Sequence, residues 1–147
     1  CNRSLLASPF SVEIRDKLNQ IKKRETYRPI APVCLEDEVS NYFEWSGSSP
    51  YMLHFQRVKS SVLKGITHID NTARVQTVNE HQNLNVYKLL SQFKNITGFG
   101  VLSNTSLNFH GSGFINRMSD LVYFVRLHGI DGFVCGNKFY LSKKTQT

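Results

Sequence analysis

Leu84-Asn85-Val86-Tyr87-Lys88-Leu89-Leu90-Ser91-Gln92-Phe93-Lys94-Asn95-Ile96-Thr97-Gly98-Phe99-Gly100-Val101-Leu102-Ser103-Asn104-Thr105-Ser106-Leu107-Asn108 is the stretch that decides the fold. Val86, Leu89, Leu90 and Phe93 recur at helical spacing, which predicts a helix from about Leu84 to Thr97 with one buried stripe. Gly98 ends it, because a glycine after the last periodic residue supplies the left-handed cap. Gly100 to Ser103 reads as a short buried strand, and Asn104 to Gly113 as a polar loop. A helix that gives way so quickly to a buried strand belongs to a mixed α/β fold.

Working outward, Pro9 to Lys23 reads as a helix. Ser8 stands at its cap, Pro9 at its first position, and Ile14, Leu18 and Ile21 at helical spacing. Arg28-Pro29-Ile30-Ala31-Pro32 cannot continue it, since two prolines force extended backbone. A strand through Val33 and Leu35 and a short helix from Glu36 to Phe43 follow, then a loop at Ser46–Pro50. Tyr51 to Val58 alternates as a strand with Tyr51, Leu53 and Phe55 on one face. Residues 59–65 read as an exposed connection, and Ile66 to Val78 as strand with a turn at Asp70-Asn71. On the other side lie a helix from Ser119 to His128 and a hairpin, Gly132–Cys135 with Lys138–Leu141, turning at Gly136-Asn137. The elements interleave around one expected core, with neither repeats nor low-complexity tracts.

The chain has 147 residues, 40% hydrophobic and 20% charged, the balance of a folded domain. No apolar run approaches the roughly 18 residues of a membrane span, so no membrane partner is expected. The formal charge of +7 calls for anionic partners. Lys17, Lys22, Lys23, Arg24 and Arg28 cluster, while Glu36-Asp37-Glu38 stands apart. Cys1, Cys34 and Cys135 form no Cys-x-x-Cys, which argues for a reducing, cytoplasmic setting and against structural zinc. The five histidines do not fall at ligand spacing, so no metal is expected in this piece. The start at Cys1, without Met or signal-peptide pattern, is read as that of a piece of a longer protein.

Three segments carry candidate chemistry. In Lys22-Lys23-Arg24-Glu25-Thr26-Tyr27-Arg28-Pro29 a helix yields to extended chain. Lys22 and Arg24, at i and i+2, would there share a face and converge on a phosphate; the plainer reading is a solvated helix end favoured by the macrodipole. In Asn104-Thr105-Ser106-Leu107-Asn108, alternation puts Asn104, Ser106 and Asn108 on one side at a strand end, where α/β proteins bind ligands. Its plainer reading is a turn satisfying its own backbone. In Thr67–Thr77, Arg74 is placed to reach a phosphate and His68 or Gln76 a base, although a lone histidine such as His68 is more simply a satisfied core residue. Gly111-Ser112-Gly113 lacks the Lys-Ser/Thr of a P-loop.

Taken in order, these segments resemble the C-terminal domain of the NodU/CmcH O-carbamoyltransferases, which modify nodulation factors, cephalosporins and aminoglycosides. The resemblance covers Asn2-Arg3-Ser4-Leu5-Leu6-Ala7, Lys22-Lys23-Arg24-Glu25 with Arg28-Pro29-Ile30-Ala31-Pro32, and Ser49-Pro50-Tyr51-Met52-Leu53. It continues through Thr67-His68-Ile69-Asp70, Thr72–Thr77, Asn104–Asn108 and Gly129-Ile130-Asp131-Gly132. It implies a YrdC-like open twisted mixed sheet with flanking helices over residues 1–141, followed by a polar tail at 142–147. It further implies that a Lys-x-Arg pair, Lys22/Arg24, and a Ser-x-Asn pair, Ser106/Asn108, flank a nucleotide and acyl-phosphate pocket. Arg28 and Arg74 would help to hold phosphates.

By the same resemblance, ATP with Mg²⁺ and carbamoyl phosphate would be joined into carbamoyl-adenylate. A separate N-terminal Kae1-like domain, carrying an iron-type metal, would pass the carbamoyl group to a substrate hydroxyl. Nucleic acid is not the expected partner. The alternative is a catalytically incomplete YrdC-like module that binds a nucleotide or RNA. The sequence departs from the family in starting after its Glu-Phe-Gly-Pro-Arg-Ala-Leu-Gly stretch. It also carries Gly111-Ser112-Gly113 for the usual Gly-Glu-Pro, and Asn71 for a Gly. The leading expectation requires Lys22, Arg24, Arg74, Ser106 and Asn108 to converge around one anion-sized hollow.

Overall fold

Leu102 and Val33, apolar and β-prone, meet at the middle of a sheet in the computed structural model, which describes residues 1–109 and 113–142. The chain divides into two compact units, Cys1–Ser106 and Leu107–Thr147. In the first, the strands are β1 (Ser4–Ala7), β2 (Ala31–Leu35), β3 (Phe55–Arg57), β4 (Thr72–Arg74), β5 (Gln76–Val78) and β6 (Val101–Ser106). Its helices are α1 (Val12–Ile21), α2 (Val39–Tyr42) and α3 (Leu84–Thr97), with a 3-10 turn at Glu36–Glu38 before α2. An open sheet runs in the order β1-β6-β2-β5. The β2–β5 pair is parallel, and β6 lies antiparallel to both β1 and β2. The fold is mixed α/β.

Because side chains alternate across a strand, paired residues share a face. One face presents Val33, Leu35, Val78 and Leu102, which pack against Val86 and Leu90 of α3. Cys34 and Val101 point the other way, into a core with Val39, Tyr42, Phe43, Leu63, Ile66, Ala73 and Val75. The α3 helix matches its sequence reading: Asn83 caps it through Val86 N, and Gly98 closes it at φ 83°. Leu89 was expected in the buried stripe but is 45% exposed, so Val86 and Leu90 carry the packing.

Other boundaries move for identifiable reasons. The α1 cap is Ser11, whose Oγ accepts from Ile14 N, rather than Ser8. Pro9, which the sequence put inside that helix, is buried and offers its carbonyl to Gly65 N at 2.8 Å. The strand expected from Tyr51 shrinks to Phe55–Arg57, and Tyr51, Leu53 and Phe55 are 79%, 72% and 61% exposed. Two contacts hold the preceding residues as a turn beside β5: Ser49 exchanges hydrogen bonds with Thr77, and the Pro50 carbonyl accepts from Gln76 Nε2. Met52, at φ 56°, breaks the extended run. The β1 strand was not read from the sequence. Its pairing of Leu6 with Asn104 and Ser4 with Ser106 draws Asn104–Ser106, expected as loop, into the ladder of β6.

The second unit contains α4 (Met118–Leu127), β7 (Gly132–Cys135) and β8 (Lys138–Leu141). The hairpin pairs Gly132 with Leu141 and Cys135 with Lys138, as its sequence predicted. Phe124 is buried between Phe109 and His128. Gly111-Ser112 and the tail from residue 143 lie outside the described residues.

Candidate functional site

The C-terminus of α1 determines where the first cations go. Lys22 is the C-cap with α-helical backbone, and Lys23 follows at φ 48°. Lys23 N donates to Gln20 O at 2.9 Å and Arg24 N to Asn19 O at 3.1 Å. This is a Schellman closure, built here on a lysine where glycine is the usual left-handed residue. Lys22 and Arg24 are therefore not alternating residues of an extended chain, as the sequence suggested. The closure turns them off the helix axis. Lys22 Nζ donates to the Ser106 carbonyl at 2.8 Å and meets Ser106 Oγ at 3.4 Å, joining α1 to the end of β6.

Asn19 organises the rest of this turn. It is fully buried, and its Oδ1 accepts from Arg24 Nε at 2.7 Å. Its Nδ2 donates to the carbonyls of Thr26 (3.0 Å) and Arg28 (2.8 Å). One side chain thus fixes a guanidinium and the loop that follows it. Sequence reasoning missed Asn19 because a polar residue beside an apolar helical stripe reads as solvent-facing. The only signal was that asparagine is a poor choice inside a helix unless its side chain has local work.

Arg24, Arg74, Asn104 and Ser106 line one hollow of about 390 Å³. Arg3, Ser4, Thr105 and Gln76 contribute further polar groups, while Pro29, Ala31 and Met52 form its apolar wall and Cys1 completes it. A volume of that order suits a small ligand. Every residue that lines it belongs to the first unit.

The other candidates, Lys22, Arg28, His68 and Asn108, are not among its lining residues. Arg28 is exposed, with Glu25 at 4.0 Å, and is not among the lining residues. His68 sits in the turn before β4, where Thr72 Oγ1 lies 3.2 Å from its Nδ1 and Phe55 packs edge-on against its ring. Asp70 closes the same turn by accepting from Thr72 N and Oγ1, and Asn71 occupies φ 60°, a left-handed conformation that asparagine tolerates. Asn108 falls in the second unit, bridged to Phe114.

The electrostatics favour an anion. Desolvation, and then the neighbouring Arg24 charge, hold the Lys22 ammonium below its ordinary pKa. Desolvation, and then Arg28, act likewise on Arg24. Cations that are partly stripped of water and repel one another gain when a negative group arrives. The described lining residues include no carboxylate, so the hollow suits phosphate oxygens. Among the described residues, no three His, Cys, Asp or Glu side chains gather as a metal site, and no helix is long and apolar enough to cross a membrane.

Residues 1–143 match the family model described as "Carbamoyltransferase C-terminus". The chain is 54% identical over 141 residues to the 3'-hydroxymethylcephem-O-carbamoyltransferase of Amycolatopsis lactamdurans, covering 95% of this chain and 27% of that protein. It is 49% identical over 140 residues to the enzyme of the same name from Streptomyces clavuligerus, again with 95% and 27% covered. Nodulation protein U of Sinorhizobium fredii is 40% identical over 115 residues, 76% of this chain and 21% of that protein. The chain spans about a quarter of the length of these relatives. It belongs to the carbamoyltransferase C-terminus family.

Proposed function

We propose that this chain is the nucleotide-handling part of an ATP-dependent O-carbamoyltransferase and that its hollow forms carbamoyl-adenylate. The observation that carries the reading is the gathering of Arg24, Arg74 and Ser106 on one hollow, with Lys22, itself outside the lining, bonded to Ser106. The names of the similar proteins support the transferred group. In the reaction, carbamoyl phosphate and water give phosphate and carbamate. A carbamate oxygen then bonds to the α-phosphorus of ATP as the bond to the bridging oxygen breaks, releasing pyrophosphate. Charge gathers on the equatorial and leaving oxygens, so preorganised guanidinium and ammonium groups do most of the work. Mg²⁺ would accompany ATP, held by its phosphates. A second, Kae1-like domain of the parent protein would then deliver the carbamoyl group to a substrate hydroxyl.

The test is pyrophosphate release by the full-length parent with ATP, carbamoyl phosphate and Mg²⁺. Lys22→Ala and Arg24→Ala should each slow it about 100-fold, the scale for losing one preorganised charge-stabilising donor. No release by the wild type, or unchanged release by both variants, sinks the reading.

A further inference from the structure

The side-chain amides at the floor of the hollow form a chain whose direction is set at one end. The Pro50 carbonyl only accepts, so the Gln76 amide must turn its Nε2 toward it, at 3.1 Å. Gln76 Oε1 then faces Asn104, which must answer with its Nδ2, at 3.0 Å. The other Asn104 N–H is directed to Cys1 Sγ, at 3.3 Å. Flipping either amide would set oxygen against oxygen. Both Asn104 donors are therefore used, and its Oδ1 remains.

That oxygen has no hydrogen-bond partner among the described residues, and no side-chain polar atom of this kind is buried. It is thus an accessible acceptor on a hollow otherwise dominated by the guanidinium groups of Arg3, Arg24 and Arg74. A phosphate oxygen would be repelled by it. An amino N–H would be held.

We propose that Asn104 is a specificity-determining residue whose Oδ1, fixed by the Pro50–Gln76 relay, selects a ligand bearing a planar amino group. This rests on the reading of the hollow as the site for carbamoyl phosphate and ATP. Two groups there share the chemistry: the carbamoyl –NH₂ and the exocyclic amine of adenine. Asn104 then recognises the part of the substrate that is not phosphate, while the arginines take the phosphate. An analogue lacking the amino group leaves Oδ1 desolvated and unpaired, the situation in which hydrogen-bonding sites discriminate best.

The experiment measures equilibrium binding to the full-length parent by calorimetry in two pairs: carbamoyl phosphate against acetyl phosphate, and ATP against purine riboside triphosphate, which lacks the amine. The wild type should prefer the amino ligand of one pair by about tenfold or more, and the pair that discriminates names the source. Asn104→Ala and Gln76→Met should each erase that preference, the second by releasing the Asn104 amide to rotate. Using Gln76→Met keeps the test open if Asn104→Ala fails to fold. Equal binding within both pairs by the wild type, or a preference that survives in folded variants, overturns the proposal. Because binding is read without turnover, a wild type that discriminates yet releases no pyrophosphate would refute the adenylation reading and leave the acceptor standing.

Discussion

The two ends of one sheet face serve opposite purposes. At one end Leu35, Val78 and Leu102 pack beneath Val86 and Leu90 of α3. At the other end the same alternation presents Gln76, Asn104 and Ser106, with Ala31 paired to Asn104 and Ser4 paired to Ser106. Leu102 and Asn104 are neighbours on that face, separated only by the oppositely directed Ser103. The backbone ladder is continuous through both ends, so the change from packed to open is made by side chains alone. The open end gains definition from α1, whose Schellman closure delivers Arg24 and whose cap lysine reaches Ser106. Apolar packing is concentrated where the face is covered, and the polar hollow lies where it is not.

That contrast can be broken from either side. The largest expected effect is at the covered end: Leu90→Ala should destabilise the protein by about 3 kcal/mol, since Leu90 is fully buried and its truncation leaves a cavity. Chemical denaturation measures the loss, and ATP binding by the fraction that stays folded should be unchanged. Next comes Asn19→Ala, which strips the Thr26 and Arg28 carbonyls and Arg24 Nε of their shared partner. It should cost about 2 kcal/mol of stability and also weaken pyrophosphate formation, because Arg24 loses its anchor. A stability loss with activity intact would make Asn19 purely a folding residue. Arg74→Ala acts only at the open end. It should weaken ATP binding about tenfold, the scale for one hydrogen bond to a charged group, and leave the denaturation midpoint where it was, because Arg74 is exposed on β4. A comparable fall in stability would show that the two ends are not separable.

What the sequence disclosed follows the same division. The α3 helix, its glycine stop and the buried start of β6 were legible, because periodicity and capping are local properties. So was the terminal hairpin, whose turn residues specify it. Arg24, Arg74, Asn104 and Ser106 were singled out as candidates, and the structure brings them to one hollow. Neither β1 nor the full length of β6 was legible, since Asn104–Ser106 are strand only through pairing with residues about a hundred positions earlier. Asn19 was hidden for a related reason: its partners, Arg24, Thr26 and Arg28, gather only once the helix has closed and the chain has turned back. The apolar alternation of Tyr51, Leu53 and Phe55 misled, because a turn pinned by Ser49 and Pro50 precedes β3, and the residue that β3 buries is the polar Gln56.

The smallest effect concerns acid. Hydrogen bonds hold two carboxyls just beyond β2 below the usual glutamate range. Those on Glu36 come from Ser48 first, then Asn79 and Thr77; Glu38 is held mainly by Lys94, whose Nζ lies 2.7 Å away. A depressed carboxyl pKa means that the folded state favours the ionised form. The contribution is complete above the unfolded value of about 4.3 and drains away as pH falls from there through the lower folded value. Melting temperatures measured between pH 3 and 6 should therefore decline toward acid, and Glu36→Gln and Glu38→Gln should each flatten part of the decline. The hollow adds nothing to this slope through carboxylates, since none is among its described lining residues. If both glutamine variants kept the full wild-type slope, the acid sensitivity would have to arise outside the junction of β2 and α2, and the carboxylates there would be bystanders.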